Sequence, residues 1–348
     1  MDDPPELWLD GGTELFDGPM GADAYSAADL APDLEPPTLA DLALTQRPDL
    51  PAATTPDLAE LAPSPDLPAA TVSDLGTAGE SRPGVFLVVS AGPDYTCALK
   101  NDGRLICWGR NDLGQAAPPT GPFAAVSTGQ WGACGVRPDG SLACWGDNST
   151  GVTRPPAGTF VSVGVGQFHA CAVRTSGTIA CWGANEVGES TPPAGNFLSL
   201  DAGILLTCGL KTDRTIACWG STDMGLDAVP TGTFSALSVG GWGVCALRTD
   251  GTLACWGDNS DGETTPPGGA FTGVSAAEFH SCGVRVGGTV VCWGDNGQSF
   301  SPGGTFTSVS AGHNHTCGLR NNGTIECWGS NDYGESTPPG LSDAPDRG

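Results

Sequence analysis

Tyr95-Thr-Cys-Ala-Leu-Lys-Asn-Asp-Gly-Arg-Leu-Ile-Cys-Trp-Gly109 is the stretch whose reading decides the architecture. Two short apolar runs flank Asn101-Asp102-Gly103, and a strand, an Asp-Gly turn and a second strand spell a hairpin. With a three-residue loop centred on Asp102, Lys100 faces Arg104, Leu99 faces Leu105 and Cys97 faces Cys107. Facing Cβ atoms in such a pair lie about 4.5–5.5 Å apart, near disulfide reach, so the spacing predicts one disulfide inside the hairpin. The plainer alternative is a pair of buried free thiols, since Cys packs as a small hydrophobe.

The same stretch recurs. The fourteen cysteines form seven C-x9-C pairs: Cys97/Cys107, Cys134/Cys144, Cys171/Cys181, Cys208/Cys218, Cys245/Cys255, Cys282/Cys292 and Cys317/Cys327. A Phe opens every unit (Phe86, Phe123, Phe160, Phe197, Phe234, Phe271, Phe306), and Trp-Gly follows every second Cys. The turn Gly is kept in six units, and Arg214 replaces it in the fourth. Each unit adds an apolar strand ahead of the hairpin, as in Phe86-Leu-Val-Val-Ser, and a Gly/Pro-rich loop behind it with room for a short outer strand. Three or four short strands repeated seven times predict an all-β, seven-bladed β-propeller. An open solenoid fits less well, because solenoids end in atypical capping repeats and the terminal units here look like the middle ones.

Residues 1–85 are a different material. They hold 17 Asp or Glu against two basic residues, with 13 Pro and no Cys, and repeat Pro-Asp-Leu four times. Such a chain buries too little apolar surface to offset its ordering entropy, so it reads as a disordered acidic, Pro-rich tail or stalk. The expected organisation is this tail, a propeller over 86–340 and a short C-terminal tail over 341–348. The net charge of -25 argues against nucleic acid as a partner. No apolar run is long enough to span a bilayer, and no secretion signal is visible in the sequence. An even cysteine count at fixed spacing nevertheless points to an oxidising compartment, hence to an extracellular or cell-envelope location.

The residues Val309-Ser-Ala-Gly-His-Asn-His-Thr-Cys-Gly-Leu319, continued by Asn-Gly-Thr-Ile-Glu-Cys-Trp-Gly-Ser-Asn-Asp-Tyr-Gly-Glu over 322–335, resemble the signature of the regulator of chromosome condensation repeat. Cys317 stands where the family usually carries an aliphatic residue. The Gly-Glu-Ser-Thr-Pro-Pro stretches at 188–193 and 334–339 are similar to the repeat endings of shorter-loop members, among them a secreted bacterial inhibitor of β-lactamases. The resemblance spans 86–340 and implies a seven-bladed propeller. It leaves function open, because the family includes a nuclear exchange factor for a small GTPase as well as that inhibitor.

A hairpin blade has two ends, so the propeller has a turn face and a loop face. On the loop face one slot reads Asp94, Trp131, Phe168, Leu205, Trp242, Phe279, Asn314 and the next Tyr95, Gly132, His169, Leu206, Gly243, His280, His315. Carboxylates such as Asp147, Asp258 and Asp295 follow the Trp-Gly pairs. Aromatics that vary between units, amid a polar rim, mark a binding surface. Tyr95, Trp131, Phe168, Trp242, Phe279 and Asn314 are therefore the expected partner contacts. The alternative is that they fold down over the propeller mouth. The Trp of each Cys-Trp-Gly is expected to pack. On the turn face, Lys100, Arg137, Arg174, Lys211, Arg248, Arg285 and Arg320 form a basic ring, expected to pair with turn carboxylates such as Asp102, Asp139 and Asp250 or to dock an anionic surface.

No metal site or cofactor is expected: the four His are scattered, and C-x9-C is not a zinc spacing. No nucleophile elbow, phosphate loop or dinucleotide fingerprint occurs. The expected function is a non-enzymatic, monomeric binding module that recognises a protein or a surface glycan through the loop face. The alternatives are an intracellular regulator, such as an exchange factor for a small GTPase, and an enzyme working through mouth carboxylates.

Overall fold

The computed structural model describes residues 84–295 and 300–340. The expected stalk before Gly84 and the tail after Gly340 lie outside the described residues. The described chain forms seven three-stranded antiparallel sheets, each made from one repeat in sequence order. Blade 1 has an inner strand Phe86–Ala91, a middle strand Tyr95–Lys100 and an outer strand Leu105–Gly109. Blade 7 has the corresponding strands Phe306–Ala311, His315–Arg320 and Ile325–Gly329. Among the described residues the long loops hold no fourth strand and only one short 3-10 turn, Asp223–Gly225.

The hairpin register follows from the spacing. Leu99 pairs Leu105 and Cys97 pairs Cys107. The Lys100 N–H donates to the Arg104 carbonyl at 2.9 Å, and the Gly103 N–H to the Lys100 carbonyl at 2.9 Å. Gly103 sits at φ +83, a conformation a Cβ resists, and Arg214 adopts φ +69 in its place in blade 4.

The cysteines are not free thiols. All fourteen are bridged within their own hairpins, as Cys97–Cys107, Cys134–Cys144, Cys171–Cys181, Cys208–Cys218, Cys245–Cys255, Cys282–Cys292 and Cys317–Cys327, with Cα atoms 4.0–4.1 Å apart. The two ends of a bridge differ in environment, which the even spacing does not foresee. The middle-strand members Cys97, Cys134, Cys171, Cys208, Cys245, Cys282 and Cys317 are fully buried. The outer-strand members Cys107, Cys144, Cys181, Cys218, Cys255 and Cys327 are only half-buried, because the outer strand is the free edge of each sheet; Cys292 alone among them is buried. Closing each eleven-residue loop stabilises the fold by roughly 2.8 kcal/mol in the chain-entropy picture.

The blades close into a ring, not a solenoid. The Phe that opens each unit donates its N–H to the turn carbonyl of the preceding blade, as Phe123 does to Gly103 at 2.8 Å. The seventh such bond joins Phe86 to Gly323 at 3.1 Å and so ties the first unit to the last. At the other end, the loop after the outer strand reaches the next blade's tryptophan at Trp108, Trp145, Trp182, Trp256 and Trp293. Trp145 Nε1 donates to the Gln115 carbonyl at 2.9 Å, and Trp108 Nε1 to the Glu335 carbonyl at 2.8 Å, again across the closure. The Cys-Trp-Gly tryptophans are thus packing residues, as expected, and five of the seven have an anchored indole. Around the axis, Gly92, Gly129, Gly166, Gly203, Gly240 and Gly312 bring the inner backbones together. A Cβ on Gly166 would stand 2.2 Å from the Gly203 carbonyl oxygen, so only glycine permits that approach. The result is a small axial cavity of about 110 Å³ lined by residues of all seven blades.

Two further layers join neighbouring blades. His169, His280 and His315 are buried, and each Nε2 lies 2.7 Å from a threonine hydroxyl of the following blade: Thr207, Thr316 and Thr96. Each of these blades has Thr at that position; where the preceding slot is not His, the position is Ala133, Ala170, Val244 or Ser281. Nearer the axis, Ser90, Ser127, Ser238, Ser275 and Ser310 each accept the N–H of the following inner strand, for example Ala91 onto Ser310 Oγ at 2.9 Å.

The turn face corrects one expectation. The basic ring does not pair with the turn carboxylates. Arg137, Arg174, Arg248, Arg285 and Arg320 stack on the opening Phe of their own blades, with guanidinium carbons 4.5–5.1 Å from the ring centroids. Their N–H groups donate to loop carbonyls such as Thr231 at 2.8 Å and Gly268 at 2.9 Å. Buried Lys100 lies 5.3 Å over Phe86. The turn aspartates instead cap their own turns: Asp139 accepts from Ser141, Asp250 from Thr252, and Asp102 pairs with Arg104. A guanidinium on an aromatic face with its N–H groups satisfied gains more than a solvated ion pair would.

Candidate functional site

The loop face is built on a repeated backbone bond. In every blade the residue after Trp-Gly donates its N–H to the aromatic-slot carbonyl: Arg110 to Asp94, Asp147 to Trp131, Ala184 to Phe168, Ser221 to Leu205, Asp258 to Trp242, Asp295 to Phe279 and Ser330 to Asn314, at 2.7–2.9 Å. This fixes the root of each long loop beside the aromatic slot. Three loop tips are fixed by buried carboxylates, and that of blade 1 by Gln115, whose Oε1 accepts the Leu113 N–H at 2.8 Å. Glu335 is 1% exposed and accepts from the Tyr333 N–H at 2.8 Å and the Ser330 hydroxyl at 2.8 Å. Glu189 holds Glu186 and Val187 in the same way, and Glu263 holds Asp261. Burial raises the Glu263 carboxyl above the usual carboxylate range. The loops are therefore rigid presenters rather than free chain.

Trp131, Phe168, Trp242, Phe279 and Asn314 are all half-buried at this face, with one side on the protein and one on solvent. Tyr95 departs from the expectation. It is 1% exposed, and its hydroxyl donates to the Gly132 carbonyl at 2.8 Å and the Gly129 carbonyl at 3.1 Å. The ring packs against Gly92, where a Cβ would stand 2.6 Å from Tyr95 Cε1. Tyr95 is a blade-to-blade strut, not a surface contact. Phe279 lies edge-on to His313 at 4.9 Å between centroids, and His313 Nδ1 pairs with Glu278 at 3.0 Å beside the axial mouth. The hydrogen bond that His313 donates to Glu278 holds the His313 pKa above its ordinary value.

The structure adds residues that the aromatic slot alone did not flag. Arg110 lies 5.6 Å from the Trp131 ring and 5.2 Å from the Tyr333 ring, joining blades 1, 2 and 7. It also bonds Asp112 at 2.8 Å and Asp94 at 3.2 Å. The Arg110 hydrogen bond pulls the Asp112 carboxyl down to about 2. Tyr333 is 52% exposed and belongs to a second slot, at the loop tips, that also carries Leu113, Val187 and Met224 as exposed apolar residues. The signal was in the repeat: the residue before the loop Gly is apolar in four units, in otherwise polar loops. Among the described residues no group of His, Cys, Asp or Glu is arranged to hold a metal.

The repeat model of the regulator of chromosome condensation family matches residues 88–115, 160–189, 234–263, 271–299 and 306–335. Among solved structures, the chain is similar to the entire ectodomain of the receptor kinase CR4 from Physcomitrella patens, with 26% identity, a TM-score of 0.63 and coverage of 71% of this chain and 74% of that one. It is also similar to the ectodomain of the receptor kinase ACR4 from Arabidopsis thaliana, with 25% identity, a TM-score of 0.61 and coverage of 70% and 96%. Prp20p from Saccharomyces cerevisiae shares the fold at 15% identity and a TM-score of 0.58, over 72% and 83% of the two chains. No curated protein matches the chain in sequence.

Proposed function

We propose that this chain, built from repeats of the regulator of chromosome condensation family, is an exported, non-enzymatic recognition module that binds a protein partner through its loop face. The observation that carries the reading is the Trp131–Arg110–Tyr333 stack. Trp, Tyr and Arg dominate binding hot spots, and here all three are partly exposed, mutually packed and held by loops whose tips are capped from beneath. Such a surface has little entropy left to lose on binding.

Seven disulfides support export, because cytosolic thiols are kept reduced. The likeness to two receptor ectodomains points the same way. The alternative of an intracellular exchange factor draws on Prp20p, a protein with binding properties toward Gsp1p and histones, but that likeness is one of fold.

The test is affinity capture by the full-length chain from the source organism's envelope and medium, beside Trp131→Ala/Trp242→Ala and Arg110→Ala variants. A protein retained by the wild type and lost by the variants supports the reading. Retention unchanged by all three substitutions moves the site to the turn face. Thiol labelling of natively purified protein tests export separately: fourteen reactive thiols would defeat it.

A further inference from the structure

The loop face repeats the geometry of the Arg110 site without repeating its cation, and the charge of the molecule is divided between its ends. Among the described residues, every Lys and Arg except Arg110 and Arg154 lies at a hairpin turn. The loop end carries the surface carboxylates Asp112, Asp147, Glu186, Asp258, Glu278 and Asp332, among others.

In blade 1 the site consists of a root residue, the aromatic slot of the next blade and the loop tip of the preceding blade: Arg110, Trp131 and Tyr333. Blade 2 has Asp147 at the root, with Phe168 and Leu113 in the flanking positions. Blade 5 has Asp258, with Phe279 and Met224. The placement is the same because the bonds are the same. Asp147 N–H donates to Trp131 and Asp258 N–H to Trp242, as Arg110 does to Asp94. The tip flanking blade 2 matches that flanking blade 1, with Gly114 donating to Asn111 as Gly334 does to Asn331, whereas the blade 4 tip turns through the 3-10 segment Asp223–Gly225. Both root carboxylates are held still, Asp147 by Ser149 Oγ at 2.5 Å and Asp258 by Ser260 Oγ at 3.0 Å. In blade 1 this geometry already holds a guanidinium against aromatic rings and carboxylates. In blades 2 and 5 the root is a carboxylate and the flanking walls are apolar, which is the complement of a cation.

We infer that the partner of the loop face is a basic protein surface, whose Lys or Arg side chains enter the niches at Asp147 and Asp258 and lie against Phe168 and Phe279. This rests on the loop-face reading above and supplies the chemistry of the partner. A cation on an aromatic face beside a fixed carboxylate gains both attractions at once. The acidic end of the molecule steers such a partner to the correct face.

The test uses the full-length, oxidised chain and a random dodecapeptide library displayed on phage. Enriched peptides are titrated by calorimetry against the wild type and against Asp147→Asn/Asp258→Asn, Phe168→Ala/Phe279→Ala and Trp131→Ala/Trp242→Ala. The expected result is enrichment of Arg and Lys, affinity that falls with added salt, and a loss of about tenfold or more in the Asn pair. Asn has nearly the shape of Asp and keeps one accepting oxygen, and near-ultraviolet circular dichroism checks that the fold is kept. Neutral or acidic winners, basic winners indifferent to the Asn pair, or no enrichment would overturn the inference. If winners lose affinity only in the aromatic variants, the loop-face reading stands and the basic partner does not. If no variant changes affinity, the loop-face reading itself fails.

Discussion

Asp201 in blade 4 supplies the hydrogen bond that Gly164 in blade 3 cannot make. In the axial ring each inner-strand N–H is accepted by the serine of the preceding blade, but the Ala202 N–H faces Gly164, which has no side chain. Asp201 Oδ1 accepts that N–H at 2.9 Å, while Oδ2 accepts the Val239 N–H at 2.9 Å in the ordinary way. One carboxylate thus does the work of two serines. It fits because a Cβ on Gly164 would come within 3.1 Å of the Asp201 Cα.

The two positions should be energetically coupled. Asp201→Ser alone leaves the Ala202 N–H without a partner and should cost about 1–3 kcal/mol. Gly164→Ser alone crowds Asp201 and should also destabilise. The double variant restores the serine pattern of the other blades and should be more stable than the sum of the single changes predicts. Urea unfolding of the four proteins measures the coupling, and strict additivity would dismiss it.

Acid should unfold the propeller earlier than its carboxylates alone would dictate. Burial lowers the pKa of His169, His280 and His315 from 6.5 to about 4. These imidazoles are neutral in the fold and protonate more readily in the unfolded chain. Their contribution is complete above pH 6.5 and is lost as pH falls through about 4. Asp201 works in the opposite sense: burial raises its carboxyl to about 6, so its contribution is complete below its unfolded pKa of 3.8 and is lost as pH rises through about 6. Replacing the three His by Gln should flatten the melting temperature between pH 4 and 6.5, as read by thermal scans.

Thr96→Val should weaken the closure between the last blade and the first. It leaves His315 Nε2 buried without its partner, at a cost of about 1–3 kcal/mol. Thr207→Val makes the same change inside the ring, next to His169. Hydrogen exchange should show opening centred on blades 1 and 7 in the first variant and on blades 3 and 4 in the second. Identical exchange maps would argue against local closure bonds.

Arg110→Ala should release Asp112 from its depressed value of about 2 toward the ordinary carboxylate range, since the Arg110 hydrogen bond is the chief cause of the shift. Carboxyl carbon NMR follows that titration directly. Trp131 should become more mobile in the same variant, with a red-shifted fluorescence, while overall stability changes little because the cluster is partly exposed.

The sequence by itself determined the blade. Hairpin register and disulfide pairing follow from contacts within one repeat, where strand spacing translates directly into distance, and blade number follows from the count of repeats. The His–Thr layer was also written there, as a correlation between one unit and the next, but it becomes readable only once blade n is known to touch blade n+1 at that depth. Tertiary structure decided what each exposed-looking residue does. Tyr95 and Trp131 occupy adjacent slots, yet one is a buried strut and the other a surface ring, because Cβ direction alternates along the strand and Gly92 leaves space for the first. Six members of the basic ring lie over aromatic faces rather than turn carboxylates because the strand start brings each Phe beneath its own cation, and Arg320 also pairs with Glu326 on the outer strand. Arg110, Trp131 and Tyr333 lie in three different repeats, and Tyr333 is brought to Arg110 only by closure of the ring. Contacts across a closure depend on the curvature accumulated over every blade, and no single repeat encodes that.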